Sequence, residues 1–207
     1  MEFKYKKILW AEDYPHEIVH GVLIAGKSLG LTTESLLSRV TFALDLEEAS
    51  SQANSREFDL YISDGDYPDC ADREHKELVL RTLREFRALG ESFIEPSLVG
   101  ADSGDNVQGN FLNFYKSELV KLNIPRVVFS VNKVNSILAF HQGLPFYIKG
   151  NMDAGALRAY VSIRPHYLLD HQKKPNSPAK GIVLRDLNQI ASWECGNLKD
   201  FVENYLL

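Results

Sequence analysis

Five polar side chains that follow apolar runs of this sequence could act together on a phosphoryl group. Glu12 and Asp13 follow the first run and Asp64 follows the third. Ser130 and Lys149 follow the fourth and the fifth. The carboxyl ends of the central strands in an open parallel α/β sheet converge on one crevice, so these side chains are expected to meet. Three carboxylates in one pocket repel each other, which predicts a divalent cation between them.

The cation predicted for this pocket is Mg²⁺, because the ligands are oxygens and Mg²⁺ keeps several waters instead of an all-protein cage. A cation held by Asp13 and Asp64 would leave a coordination position for a phosphoryl oxygen. Asp64 could then attack phosphorus in line, with Lys149 neutralising and Ser130 hydrogen-bonding the remaining oxygens. The product of this chemistry is an aspartyl phosphate.

The elements that would position these groups are short apolar runs alternating with helical patterns. Runs of this length, bounded mostly by polar or turn-forming residues, suit a parallel sheet covered on both faces. The alternation predicts a doubly wound α/β fold with five strands, at Ile8–Ala11, Val40–Leu44, Phe58–Ser63, Arg126–Phe129 and Pro145–Ile148.

Two segments depart from this alternation. A helical insertion spans residues 71–123, more chain than one crossover needs, and its second helix begins near Asn110. A polar linker at 165–180 leads to a C-terminal extension at 181–207. The extension ends in a helix at 197–207, which is predicted to dock on the same chain through an apolar stripe of Leu198, Phe201, Val202 and Tyr205.

Four strand-end segments also carry a family pattern. They read ILWAED at 8–13, FDLYISDGDYP at 58–68, IPRVVFS at 124–130 and FYIK at 146–149. In this combination and order they resemble the receiver domain of two-component response regulators. The resemblance implies a receiver-like domain over residues 1–164, with the insertion set aside, and a parallel sheet in the strand order 2-1-3-4-5.

The resemblance assigns a role to each matching residue. It implies that Asp64 is the phosphoacceptor and that Glu12 and Asp13 are the acidic pair beside the metal. The backbone carbonyl of Asp66 would be a further metal ligand. Ser130 and Lys149 would contact the phosphoryl group. In this family the hydroxyl shifts on phosphorylation and an aromatic side chain on the last strand changes rotamer, and Phe146 is the matching position.

The same resemblance implies what the protein would work with. A histidine kinase or a phosphotransfer protein would donate the phosphoryl group, and an output protein would read the result, with a homodimer as a further expectation. The chain would not be an enzyme in the usual sense, since its chemistry is self-phosphorylation from a donor and autodephosphorylation.

Three features depart from the family pattern. Val131 stands where a small residue is usual, Gly150 replaces the usual proline after the lysine, and the insertion takes the place of the helix after Asp64. These differences keep open a second hypothesis, a receiver-like module that binds proteins without being phosphorylated.

Two short motifs suggest other chemistry. His16 and His20 lie in an HExxH sequence typical of zinc proteases, but no third ligand follows at a diagnostic spacing, so two solvent-facing histidines are expected. Asp64 and Asp66 form the DxD motif of haloacid-dehalogenase-like phosphatases. That family usually has a further acidic pair after the lysine, whereas Asp153 is isolated here.

The composition argues against several classes of protein, among them nucleic-acid-binding, membrane-bound and disulfide-rich proteins. A net charge of -5 with interspersed signs argues against nucleic-acid or anionic-membrane binding. The sequence contains no segment resembling a signal peptide or a transmembrane span, so a cytoplasmic protein is expected. Cys70 and Cys195 are far apart, which implies neither a disulfide framework nor a cysteine zinc site.

Overall fold

A parallel sheet forms the centre of the molecule. The computed structural model describes residues 3–55, 57–65, 67–89, 123–173 and 179–207. All strand pairs are parallel, and the six strands lie in the order 2-1-3-4-5-6. The strands are β1 Ile8–Ala11, β2 Val40–Ala43, β3 Leu60–Ser63, β4 Arg126–Ser130, β5 Phe146–Ile148 and β6 Cys195–Gly196.

The predicted doubly wound α/β fold is confirmed, with one addition. The first five strands have the predicted order 2-1-3-4-5, and β6 pairs in parallel with β5 at the outer edge. The prediction of five strands was therefore one strand short. The α-helices are α1 Pro15–Gly26, α2 Thr33–Leu37, α3 Leu46–Ser55, α4 Arg73–Leu89, α5 Asn135–Gln142, α6 Ala154–Ser162, α7 Pro165–Gln172 and α8 Leu198–Phe201.

Helices cover both faces of the sheet because side chains alternate along each strand. On one face, Trp10 of β1 and Phe129 of β4 pack with residues of α1, α2, α4 and the C-terminal segment. On the other face, Val128 and Phe146 pack with residues of α5, α6 and α7, and a smaller group around Ala11 contacts α3. The inner strands β1, β3, β4 and β5 are thus buried on two sides, whereas the edge strand β2 is mostly half-buried.

The C-terminal segment packs on the same chain, as its apolar stripe predicted. α8 continues as a π-helix over Val202–Leu206. Phe201, Val202 and Tyr205 are buried in the core cluster around Trp10. The segment therefore closes the sheet face between α1 and the outer strands.

The insertion and the linker are described in part. The first predicted helix of the insertion is α4, Arg73–Leu89, whereas the second, near Asn110, lies outside the described residues. In the segment predicted as a linker, residues 165–172 form α7 instead. This helix packs on the protein through Leu168, which is fully buried in the same core cluster as Phe146 of β5. Within the described ranges, no helix has the length and apolar character needed to cross a membrane.

Candidate functional site

The strand ends bring the predicted polar residues to one edge of the sheet. The backbone N–H of Glu12 donates to the carbonyl oxygen of Ala43, and that of Asp64 donates to the carbonyl oxygen of Ala11, both at 2.9 Å. The N–H of Lys149 donates to the carbonyl oxygen of Ser130 at 3.0 Å. The backbone hydrogen bonds of the sheet thus continue one residue beyond the strands, and they fix the positions of Glu12, Asp64 and Lys149 at the carboxyl edge.

Three acids and one ammonium converge at this edge. Glu12, Asp13 and Asp64 each offer a carboxylate oxygen within 4.8 Å of the others. The Lys149 Nζ lies 2.5 Å from Oε2 of Glu12 and 2.9 Å from Oδ2 of Asp64. These four side chains, which we call the acidic pocket, are four of the five that the sequence predicts to meet; Ser130, the fifth, makes its side-chain hydrogen bonds to Asn132 and Asn135 instead.

Burial and mutual repulsion perturb the acids of the pocket. Burial raises the pKa of Glu12 to about 8, with Lys149 opposing the shift and Asp64 adding to it. Burial and the charge of Asp64 raise the pKa of Asp13 to about 6. Burial alone lowers the pKa of Lys149, but the charges of Asp64 and Glu12 outweigh it and raise the pKa overall. Lys149 therefore stays charged, and the excess negative charge remains on the acids.

The donor set of the pocket fits a divalent cation. When all groups are ionised, three carboxylates and one ammonium leave two negative charges on a nearly buried site. Oxygen-only ligands with this charge suit Mg²⁺ better than Zn²⁺, which favours nitrogen and sulfur. Asp66, the further predicted ligand, lies outside the described residues.

Both oxygens of Asp64 already have a defined environment. Oδ1 accepts a hydrogen bond from the N–H of Gly65 at 2.7 Å, and Oδ2 faces the Lys149 ammonium. The residue is only 6% exposed, so its carboxylate is held in one orientation. Such fixed orientation is what in-line attack on a phosphoryl group requires.

Ser130 lies beside the residue that follows Asp64. Its Oγ accepts hydrogen bonds from the backbone N–H of Asn132 at 3.2 Å and from Nδ2 of Asn135 at 3.1 Å. A Cβ added to Gly65 would lie 3.0 Å from this Oγ and 1.9 Å from Nδ2 of Asn135. Ser130 and Asn135 therefore pack directly on the backbone of Gly65.

Helix α4 reaches the pocket through His75, a residue that sequence reasoning missed. Its Nε2 donates to the backbone carbonyl of Asp13 at 2.8 Å, and its ring stands edge-on to Tyr14. In the same turn, the Lys76 Nζ lies 2.6 Å from Oδ2 of Asp45, which also accepts from the N–H of Ala71. The first turn of α4 is thus fixed to the loops after β1 and β2.

The other predicted positions lie around the pocket with different surroundings. Phe146, the predicted switch residue, is fully buried and stacks on Trp193 with ring centroids 6.4 Å apart. Val131 is 67% exposed, and an added Cβ on Gly150 would meet nothing within 4 Å. The loops after β4 and β5 are therefore open to solvent at these two residues.

Among the residues that the structure describes, no group of three potential metal ligands includes the HExxH histidines. His16 is buried whereas His20 is exposed, so the expectation of two solvent-facing histidines is wrong for His16. Its position at the start of α1 turns it toward the protein, where its ring contacts that of Tyr14. In the part of the chain that the structure describes, Glu12, Asp13 and Asp64 are the one group of three or more potential ligands.

No family model matches the sequence, and no curated protein matches it significantly. The fold and the acidic pocket are therefore the features that bear on function.

Proposed function

We propose that this chain is a receiver-like signalling domain that accepts a phosphoryl group on Asp64 in the presence of Mg²⁺. The position of Lys149 supports this most strongly, since its ammonium contacts both Asp64 and Glu12 at the carboxyl edge of the sheet. A buried ammonium beside a carboxylate nucleophile can neutralise the charge of an arriving phosphoryl group. The open parallel sheet is consistent with a site at this edge.

The proposed step transfers a phosphoryl group from a donor to Asp64. An oxygen of the Asp64 carboxylate attacks phosphorus, and the new O–P bond forms as the bond between phosphorus and the donor's leaving atom breaks. The leaving group keeps the electron pair of the broken bond. Acetate leaves as the anion, and an imidazole whose other ring nitrogen carries a proton leaves neutral, so neither donor needs a proton from this chain. Lys149 and the Ser130 hydroxyl bind the transferred oxygens.

Asp13 and Asp64 would hold the cation, with Glu12 close by. When bound, Mg²⁺ supplies positive charge that offsets the repulsion between the carboxylates and the phosphoryl oxygens. Lys149 supplies further positive charge at Oδ2 of Asp64. The proposal also includes a phosphohistidine donor on a kinase or phosphotransfer protein, an output protein as reader, and a cytoplasmic location.

Incubation with Mg²⁺ and acetyl phosphate, followed by intact-mass measurement, tests the proposal. We expect one phosphoryl adduct on the wild type, and no adduct on Asp64→Asn or in the absence of a divalent cation. Asp69→Asn is the matched control, since Asp69 is an exposed carboxylate near the same strand, and it should be modified like the wild type.

Two outcomes would replace the proposal with an alternative. A wild type that forms neither an acetyl-phosphate adduct nor a beryllofluoride complex would favour the module that binds proteins without phosphorylation. Sustained hydrolysis of a phosphomonoester would instead favour the phosphatase chemistry of the DxD motif.

A further inference from the structure

Asn135 holds a buried position against both Ser130 and Gly65, the residue that follows Asp64. It is the first residue of α5 and only 3% exposed. Its Nδ2 donates to Oγ of Ser130 at 3.1 Å, and the absence of a side chain at Gly65 leaves room for the amide. The residue preceding it, Val134, occupies the N-cap position of α5, and the side chain that accepts at this helix end is that of Asn132, from the Val134 N–H at 3.0 Å. Capping therefore does not account for this buried amide.

The hydrogen bonds of Ser130 determine which way its proton can point. A hydroxyl has one donor hydrogen and two acceptor lone pairs. The Ser130 Oγ accepts from the side chain of Asn135 and from the backbone of Asn132, so both acceptor positions are filled. The hydrogen must then point away from both donors, and within the described ranges no hydrogen bond uses it.

We propose that Asn135 is a positioning residue that presets the Ser130 hydroxyl as a hydrogen-bond donor to the phosphoryl group on Asp64. The proposal rests on the proposed function of Asp64. The position of the Ser130 hydroxyl supports this role, because its Oγ lies next to the residue that follows Asp64. A Cβ added to Gly65 would lie 3.0 Å from that oxygen. A donor oriented before the reaction stabilises developing charge without reorganising at the moment of transfer.

Removal of the amide donor should slow phosphorylation without weakening metal binding. In Asn135→Leu a side chain of similar shape loses the donor, so the Ser130 hydroxyl is free to rotate. In Asn135→Asp an acceptor takes the donor's place and draws the Ser130 proton toward itself. We expect the adduct to form about tenfold more slowly in both variants. The Mg²⁺ dissociation constant of Asn135→Leu should stay within about twofold of the wild type.

The test measures the rate of adduct formation from acetyl phosphate and the Mg²⁺ affinity by calorimetry in a double-mutant cycle. The cycle consists of the wild type, Asn135→Leu, Ser130→Ala and the double variant. Because Asn135 is proposed to act through Ser130, Asn135→Leu should have little further effect in the Ser130→Ala background. Ser136→Ala is the control, since Ser136 is buried in the same helical turn and donates instead to the carbonyl of Lys133.

The outcomes separate this proposal from the one on which it rests. A wild type that forms no adduct refutes the phosphoacceptor function, and the role of Asn135 with it. A reactive wild type with an equally reactive Asn135→Leu overturns the role of Asn135 alone. An equal loss of rate with and without the Ser130 hydroxyl, or a parallel loss of Mg²⁺ affinity, would show a general structural effect and also overturn it.

Discussion

Phe201 stacks face to face on Phe129, with ring centroids 4.0 Å apart and planes inclined by 7°. Phe129 immediately precedes Ser130 at the end of β4, and its ring also lies 5.7 Å from the Lys149 ammonium. The C-terminal helix therefore supports the strand that ends in Ser130, beside the acidic pocket. Phe201 is fully buried, and its ring also contacts Trp10 and Tyr147.

Phe201→Ala should destabilise the fold strongly, because it removes a fully buried aromatic ring from the main core cluster. We expect a loss of about 3 to 5 kcal/mol in the free energy of unfolding, measured by urea denaturation. Val183→Ala is the control, since Val183 is 81% exposed and its truncation should change stability by less than about 0.5 kcal/mol. Similar losses in the two variants would contradict the packing role of Phe201.

Gly65→Ala should disturb the site through a steric clash. The added Cβ would lie 1.9 Å from Nδ2 of Asn135, so the amide has to move away from Ser130. We expect a loss of about 1 to 3 kcal/mol in stability and slower formation of the adduct. Gly150→Ala is the matched control because its Cβ would enter open space, and it should behave as the wild type. The prediction is wrong if thermal unfolding cannot distinguish the two alanine variants.

Lys149→Met should have opposite effects on metal binding and on phosphorylation. Without the ammonium, the three carboxylates attract a cation more strongly, so the Mg²⁺ affinity should increase about threefold or more. The adduct should form at least about tenfold more slowly, because the phosphoryl oxygens lose a charged partner. Calorimetry and intact-mass kinetics measure the two effects. A decrease of both quantities would indicate that Lys149 acts by holding the fold.

The effect of Mg²⁺ on stability should grow with pH. In the metal-free protein the pKa of Asp13 is raised to about 6 and that of Glu12 to about 8, above their ordinary values of 3.8 and 4.5. Between about pH 4 and about pH 8 the folded state therefore holds more protons on these two acids than the unfolded state does. The free energy of unfolding declines as the pH rises through this range, because the folded state has to release those protons. Lys149 remains charged throughout this range and adds no slope.

Thermal unfolding at about pH 5.5 and about pH 8, with and without saturating Mg²⁺, measures this effect. We expect a larger rise in Tm with Mg²⁺ at the higher pH. At the lower pH protons on the two acids compete with the cation, whereas at the higher pH the carboxylates are ionised and free to bind it. Glu12→Gln should reduce the pH dependence, since it removes the acid with the higher pKa. Equal shifts at the two pH values would exclude the acidic pocket as the metal site.

His75→Ala should weaken Mg²⁺ binding, because the His75 ring donates to the backbone carbonyl of Asp13 and fixes that ligand. We expect a loss of about threefold to tenfold in affinity by calorimetry, with the fold retained by circular dichroism. Arg73→Ala changes the same helical turn, but its side chain is exposed and pairs with Glu77 on the surface. If both variants bind Mg²⁺ equally well, α4 does not position the metal site.

Much of the site was predictable because it depends on the strands. Apolar runs ending in Asp13, Asp64 and Lys149 suffice to predict convergence, since parallel strands present their carboxyl ends at one edge. The docking of the terminal helix was predictable for a similar reason, since an apolar stripe that includes Phe201 needs a covered surface.

The remaining features depend on contacts that leave no local pattern. β6 consists of Cys195 and Gly196 alone, too short to show strand periodicity. His75 and Asn135 are single polar residues on helices, and their roles follow from the loops against which those helices pack. The burial of His16 likewise depends on how α1 meets the sheet and not on the spacing of its neighbours.

The sixth strand also changes how this protein can associate. β6 occupies the margin beside β5, and its two residues offer few unpaired backbone groups to a strand from another molecule. Edge-to-edge growth of the sheet is therefore discouraged on that side. A partner that approaches there would meet the side chains of the C-terminal extension instead of bare backbone.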